Sequence, residues 1–384
     1  MAITRRDALL LMTSTMGAAA LTACRQASAP TEQPATETTK KATVEPSAQE
    51  TLTPSDDVSL RITQARHNTR GNSDPFEPFA LLHISDVHGD ANALSRALAW
   101  ASANEGVIDD ILCTGDLATL EYADGMEYWD QVAGSARVLT CVGNHDVYDS
   151  LETRLPYDKV SVSDAAARYI DPFAANWGTI DHETGTTWYA KDYPERNVRL
   201  IVLDCMLYIG EHSSPEARMQ NAWLEDKLAD ARRARMTVVI GEHFPLADKS
   251  MVECSWAPFD RAFAYGPFLS SDVPNRVQAF IDAGGTFACY LCGHCHTDAA
   301  HILPKHPEQF ALAVPCTTDA PDQIAWGDMD RSQESTRDAF NLVVVDIVNR
   351  LVKAVRIGAD RDLALQKRTA LSWDYRHRRL VYAG

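Results

Sequence analysis

Arg137-Val138-Leu139-Thr140-Cys141-Val142-Gly143-Asn144-His145-Asp146 is the stretch on which the reading of this chain turns. Its first six residues form an apolar run that predicts a buried strand. Its last four make a polar tip just past the strand end. Asn, His and Asp in a row suit a site, although the same residues also serve as turn chemistry. What separates the two readings is the recurrence of this design along the chain.

Upstream, Phe79 to Ser85 predicts a buried strand that delivers Asp86-Val87-His88-Gly89-Asp90. A helix follows from Ala91, with Leu94, Leu98 and Ala101 on one face. Ile108 to Thr114 reads as the next strand, ending in Gly115-Asp116, and a helix is expected over Tyr122 to Val132. Downstream, residues 147–186 have no period and read as a surface insertion. Thr187–Tyr193 and Asn197–Asp204 read as a hairpin around Pro194-Glu195-Arg196, and Ser213-Ser214-Pro215-Glu216 is a helix-start signature. Met236 to Ile240 leads into Gly241-Glu242-His243, and Phe287 to Leu291 leads into Gly293-His294-Cys295-His296. Between them lies an aromatic-rich stretch, residues 246–272, which either packs its own small core or walls the site. Strand Phe310–Val314 and a hairpin of Asn341–Ile347 with Val352–Ile357 close the pattern. Strands alternating with helices, each strand ending in a polar tip, predict an α/β fold with a site at strand carboxyl ends.

Set in order, Asp86-x-His88, Gly115-Asp116, Gly143-Asn144-His145-Asp146, His243 and Gly293-His294-x-His296 resemble the calcineurin-like metallophosphoesterase family over residues 79–300. That resemblance implies a four-layer αββα sandwich with two central mixed β-sheets. It implies a dinuclear centre, with Asp86, His88, Asp116 and His296 around one ion and Asp116, Asn144, His243 and His294 around the other. Asp116 would bridge. It also implies that His145 stands near the leaving-group oxygen as acid or hydrogen-bond donor, with Asp146 orienting its imidazole and keeping it protonated. The implied reaction is hydrolysis of a phosphomonoester or small phosphodiester by a hydroxide bridging the metals. Thr119 stands where the purple acid phosphatases of this family carry a Tyr ligand, so an Fe-tyrosinate site is not expected. Mn, Zn, Fe or a mixture stay open. Asp90 and Asp298 are candidates to support ligating His residues, His83 reads as core, and Gly143 reads as a tight-turn residue.

The chemistry explains why such residues belong together. Phosphate esters resist attack because they are anionic and their alkoxide is a poor leaving group. Two divalent ions about 3.5–4 Å apart generate a hydroxide at neutral pH and clamp the oxygens of an in-line displacement. Such ions take His nitrogens and carboxylate or amide oxygens. Strand alternation at 294–296 sends both His side chains one way and Cys295 the other. Two ions with Asp86 and Asp116 leave a cationic site that attracts phosphate. The alternative is a surface protein that binds phosphorylated ligands through the metals without turnover; binding alone would need no proton donor at His145.

A formal net charge of −17 over 384 residues argues against general nucleic-acid binding. Thr4-Arg5-Arg6-Asp7, an apolar run from Ala8 to Leu21 and Leu21-Thr22-Ala23-Cys24 resemble a twin-arginine export signal ending in a bacterial lipobox. That predicts a signal over residues 1–24, lipidation at Cys24 in place of a spanning helix, and a periplasmic or cell-surface location. Residues 25–58, rich in Ala, Thr, Pro, Ser, Gln and Glu, read as a flexible tether. The catalytic domain is expected over 59–360 and a basic C-terminal extension, with Arg376, Arg378 and Arg379, over 361–384. Cys113, Cys141, Cys205, Cys289 and Cys292 lie in apolar runs and are expected as free thiols; Cys254 and Cys316 have no such context. The natural substrate and oligomeric state have no sequence signature.

Overall fold

The computed structural model describes residues 76–118, 129, 138–148, 156–208, 214–245, 272–294, 296, 299–303, 305–319, 331, 337–358 and 370–383. Residues 1–24 and 25–58, the 246–271 stretch, Thr119, Cys254, Cys295 and Asp298 lie outside them. Two seven-stranded sheets form the body. The first comprises β1 (Phe79–Ile84), β2 (Asp110–Cys113), β3 (Val138–Thr140), β11 (Ala339–Asp346), β12 (Leu351–Gly358), β13 (Ala370–Asp374) and β14 (Arg379–Ala383). Their order is β14-β13-β12-β11-β1-β2-β3. The second comprises β4 (Asp181–His182), β5 (Tyr189–Tyr193), β6 (Val198–Val202), β7 (Thr237–Gly241), β8 (Thr286–Cys292), β9 (Ala299–Leu303) and β10 (His306–Ala313). These run β4-β5-β6-β7-β8-β10-β9.

Every residue of β1, β2, β3 and β7 is buried. Unbroken apolar runs of this kind belong to strands covered on both faces. β1, β2 and β3 pair in parallel (Leu82 with Ile111, Ile111 with Val138), as do β6, β7, β8 and β10 (Ile201 with Ile240, Leu291 with Leu312). Antiparallel partners flank both parallel sets, so each sheet is mixed. The sheets face one another: Phe310 of β10 stacks on Trp373 of β13 at 5.2 Å, and Tyr193 of β5 meets Phe79 of β1 at 4.5 Å. Helix α1 (Ala91–Ala103) buries Leu94, Ala97 and Trp100, and Trp100 meets Phe340 of β11. Helix α2 spans Val162–Tyr169, and α3 (Pro215–Ala234) and α4 (Asp272–Asp282) pack on the second sheet. This is the expected αββα sandwich.

One expectation changes. Residues 156–186 are not a surface insertion: Tyr169, Ile170 and Trp177 are fully buried, and Trp177 stacks on Tyr189 at 4.8 Å. Residues 370–383 extend the first sheet as β13 and β14. Arg378 there pairs with Glu308 at 2.6 Å and Arg379 with Asp374 at 3.3 Å. Cys316, like the five thiols expected free, is free and buried. Among the described residues no helix is long and apolar enough to cross a membrane.

Candidate metal centre

The polar tips converge at one end of the sandwich because β1, β2, β3, β7 and β8 all point their carboxyl ends there. Asp86 and His88 follow β1, Asp116 follows β2, Asn144 and His145 follow β3, His243 follows β7, and His294 and His296 follow β8. Turning the chain this tightly leaves marks on the backbone. Asp86, His88, Asp116, His294 and His296 all have φ between 48° and 68°. Bulky L-residues avoid that region, and such conformations collect at functional sites.

Asp86, His88, Asp116 and His296 offer ligand atoms that all lie within 4.8 Å of one another, and Asp116, His243 and His294 form a second such group. Both groups can hold a metal ion, and Asp116 belongs to both. Its Oδ2 lies 3.2 Å from His243 Nε2 and 3.9 Å from His88 Nε2, while its Oδ1 accepts the backbone N–H of His145 at 2.9 Å. The Nε2 atoms of His88 and His296 stand 3.1 Å apart. His296 Nε2 is 3.2 Å from Asp86 Oδ1, a buried oxygen with no aligned hydrogen-bond donor. Asp86 Oδ2 is occupied by the backbone N–H of His294 at 2.8 Å.

Protonation fits a cation. Burial lowers His88 to about 4 and lowers His294 well below the usual imidazole range, so both present lone pairs. Burial opposes a charge on His243 too, but the neighbouring Asp116 carboxylate outweighs it and pushes the ring up to about 9. Burial also opposes ionisation of Asp116, yet His243 and His145 hold it well below the ordinary carboxylate range. This end of the molecule therefore calls for positive charge. His243 Nδ1 donates to Thr114 O at 2.6 Å, leaving Nε2 to face Asp116 and, at 3.0 Å, Asn144 Oδ1. A backbone carbonyl behind a ligating imidazole fixes its tautomer in this way.

Asp146 differs from expectation. Its carboxylate accepts the backbone N–H groups of Leu117, Ala118 and Gly143, each at 2.8 Å, rather than holding the His145 imidazole. It is a clamp between the loop after β2 and the loop after β3, made by burying an acceptor among backbone donors. His145 is positioned instead through its backbone N–H, with its ring 5.0 Å from His88 and 5.6 Å from Tyr148. Asp90 likewise supports no ligand His; it caps α1 and accepts from Thr318 Oγ1 at 2.9 Å. His83 is core, its Nε2 3.0 Å from Thr114 Oγ1. The sequence did not single out Thr317, whose hydroxyl accepts Ser85 N–H at 3.2 Å and steadies the approach to Asp86; a lone Thr after a strand carries no signal.

Gly143 is not a tight-turn residue: its φ of −101° and ψ of 178° are open to any side chain. Space is the constraint, because a Cβ there would lie 2.2 Å from Asp116 Oδ1 and 2.3 Å from Asp116 N. Gly143→Ala is expected to push the Asp116 carboxylate aside and cost about 1–3 kcal/mol of stability. Thermal melting and metal analysis check it; an unchanged melt with full metal content would refute the steric account.

The family model described as Calcineurin-like phosphoesterase matches residues 79–298. No curated protein matches the sequence. Similar solved structures include a dimetal phosphatase from Danio rerio, 16% identical, covering 76% of this chain and 98% of that one with a TM-score of 0.49. A protein from Thermus thermophilus, TT1561, is 11% identical over 73% of this chain and 99% of that one, TM-score 0.38. A metallophosphoesterase from Sphaerobacter thermophilus is 11% identical over 73% and 88%, TM-score 0.30. With more than half of its length matched by the family model, and with that match spanning every strand-end tip from Asp86 to His296, the chain belongs to the calcineurin-like phosphoesterase family.

Proposed function

We propose that this protein hydrolyses phosphate esters, monoesters or small diesters, at a centre of two divalent metal ions. The observation that carries the proposal is Asp116, one carboxylate shared by two adjoining groups of His and Asp ligand atoms. Asp86, His88, Asp116 and His296 would hold one ion, and Asp116, Asn144, His243 and His294 the other. When bound, such a pair supplies Lewis-acid activation of water and neutralises charge on the phosphate. The residues then divide the remaining work. Thr114 O and Asp116 Oδ1 keep His243 and the His145 backbone in register. As a water-derived oxygen bonds to phosphorus and the bond to the leaving oxygen breaks, the His145 imidazole donates a proton to that oxygen and later regains one from solvent.

The test is turnover by the metal-loaded full chain on nitrophenyl phosphate, its bis ester and a panel of alkyl phosphates. Absence of turnover with every divalent metal, together with retained phosphate binding, would favour a binder without catalysis. His145→Ala is expected to lower kcat about 10²–10³-fold on alkyl esters, with phosphate binding preserved. Equal rates in mutant and wild type would remove His145 from the mechanism.

We propose in addition that residues 1–24 direct export and that lipid on Cys24 anchors the protein, the 25–58 tether holding the domain off the membrane. Support comes from the twin arginine, the apolar run and the Leu21-Thr22-Ala23-Cys24 ending. Cys24→Ala should block labelling with fatty acid and release the protein from the membrane fraction; continued labelling would refute lipidation at that site.

A further inference from the structure

We infer that Tyr157 and Asp204 form a positioning pair that holds His145 in place for proton transfer to the leaving group, an inference that rests on the role proposed for His145. His145 lies in a one-turn helix, Asn144–Val147, and the chain beyond it is rooted at two points. Tyr148 pairs with Pro156 in an isolated antiparallel bridge, and Tyr157 N–H donates to Val147 O at 3.3 Å. Residues 149–155 lie outside the described residues.

Tyr157 occupies an unusual backbone conformation for an aromatic residue, φ 58°. Its hydroxyl donates to Asp204 Oδ2. Asp204 follows β6 of the opposite sheet and is fully buried. It is itself immobilised. Its Oδ2 also accepts Thr187 Oγ1 at 2.5 Å, and its Oδ1 accepts Met206 N–H at 2.9 Å. Gln220 of α3 brackets its backbone, accepting Asp204 N–H at 2.8 Å and donating to Asp204 O at 3.0 Å. The second sheet thus offers a rigid acceptor, and one phenol ties the root of the His145 turn to it.

The chain of contacts reaches the imidazole through Tyr148, whose ring stands 5.6 Å from His145 and whose backbone is half of the bridge at Pro156. Loss of the phenol hydroxyl would loosen that root without touching any proposed ligand. A group that must meet a leaving oxygen at hydrogen-bond distance is sensitive to such slack, since a 1 Å misplacement can cost about 10²-fold.

The experiment compares the metal-loaded full chain with Tyr157→Phe on two substrates. Nitrophenolate leaves without help, whereas an alkoxide needs the proton. Tyr157→Phe is expected to lower kcat about 10–100-fold on an alkyl phosphate, with KM and turnover of nitrophenyl phosphate little changed. In a His145→Ala background the same substitution should have no further effect, because its route runs through His145. Asp204→Leu, a second variant of similar volume, should reproduce the pattern. Asp204→Asn keeps an acceptor oxygen for the two hydroxyls but turns its NH2 toward the Met206 N–H, and should lose less than Asp204→Leu on the alkyl phosphate. Equal losses on both substrates, or losses that multiply with His145→Ala, would overturn the positioning role. If His145→Ala spares alkyl phosphates while Tyr157→Phe impairs them, the pair acts elsewhere and the inference fails. If His145→Ala affects alkyl phosphates and Tyr157→Phe does not, the inference alone fails and the role of His145 stands.

Discussion

Asp116→Ala is expected to abolish turnover, by at least about 10⁴-fold or about 5 kcal/mol of transition-state stabilisation, and to empty both metal positions together. The reason is arithmetic of ligands. His88 and His296 serve one group of ligand atoms, His243 and His294 the other, and only Asp116 is shared. Removing His88 or His243 should therefore weaken one position and leave the other measurable. Removing Asp116 takes a ligand from both and also the acceptor that holds the backbone N–H of His145. It further withdraws a buried negative charge that favours a cation at this end of the molecule. Metal content per chain for Asp116→Ala, His88→Ala and His243→Ala decides the matter. Two equivalents retained by Asp116→Ala, or losses identical across all three variants, would break the shared-ligand account.

Why the site was legible while its supports were not follows from what each residue bonds to. A metal ligand must be one of a few side-chain types, and on parallel strands it must sit just past the carboxyl end. Asp86, Asp116, Asn144, His243 and His294 therefore stand out against apolar runs. Supporting groups have no such restriction. Thr114 contributes to His243 through its backbone oxygen, which any residue carries. Asp146 adjoins His145 in sequence, which predicts a side-chain pair, but three backbone N–H groups of two loops converge on it instead. Sequence adjacency on a helical turn does not place side chains together, since neighbours there point about 100° apart. Gly143 was expected for its turn and is required for its lack of a Cβ, a clash with Asp116 that depends on a neighbouring loop distant in sequence. Residues 156–186 show no period because their buried members are divided among short helical pieces, Tyr169 at the end of α2, Phe173 in a four-residue helix and Trp177 in a 3₁₀ turn, rather than lined along one long face.

The far end of the sandwich should respond most strongly in stability. Lys191→Met is expected to destabilise the fold by about 3–5 kcal/mol. Lys191 of β5 and Asp110 of β2 belong to different sheets, and their Nζ and Oδ2 atoms meet at 2.5 Å in a setting where both residues are buried. Tyr193 donates to the same oxygen at 2.6 Å, but a neutral phenol does not replace the ammonium. Without Lys191 the carboxylate must either stay ionised in a dry environment or take up a proton, and each option costs free energy that the unfolded chain does not spend. Burial already holds the Tyr193 hydroxyl far above its usual pKa, with Asp110 adding to the effect, so the phenol cannot supply a proton in its place. The companion variant separates the pair's worth from the cost of breaking it. Replacing both residues, Lys191→Met with Asp110→Leu, removes the stranded charge and should recover most of the loss, because apolar substitutes for a buried ion pair are often neutral. Urea unfolding of the two variants at pH 7 gives the comparison. A double variant as unstable as Lys191→Met would mean that the pair holds the two sheets in register. A single variant within about 1 kcal/mol of wild type, on the order of an exposed pair, would mean that water reaches the Asp110 carboxylate and that the sandwich is open at this end.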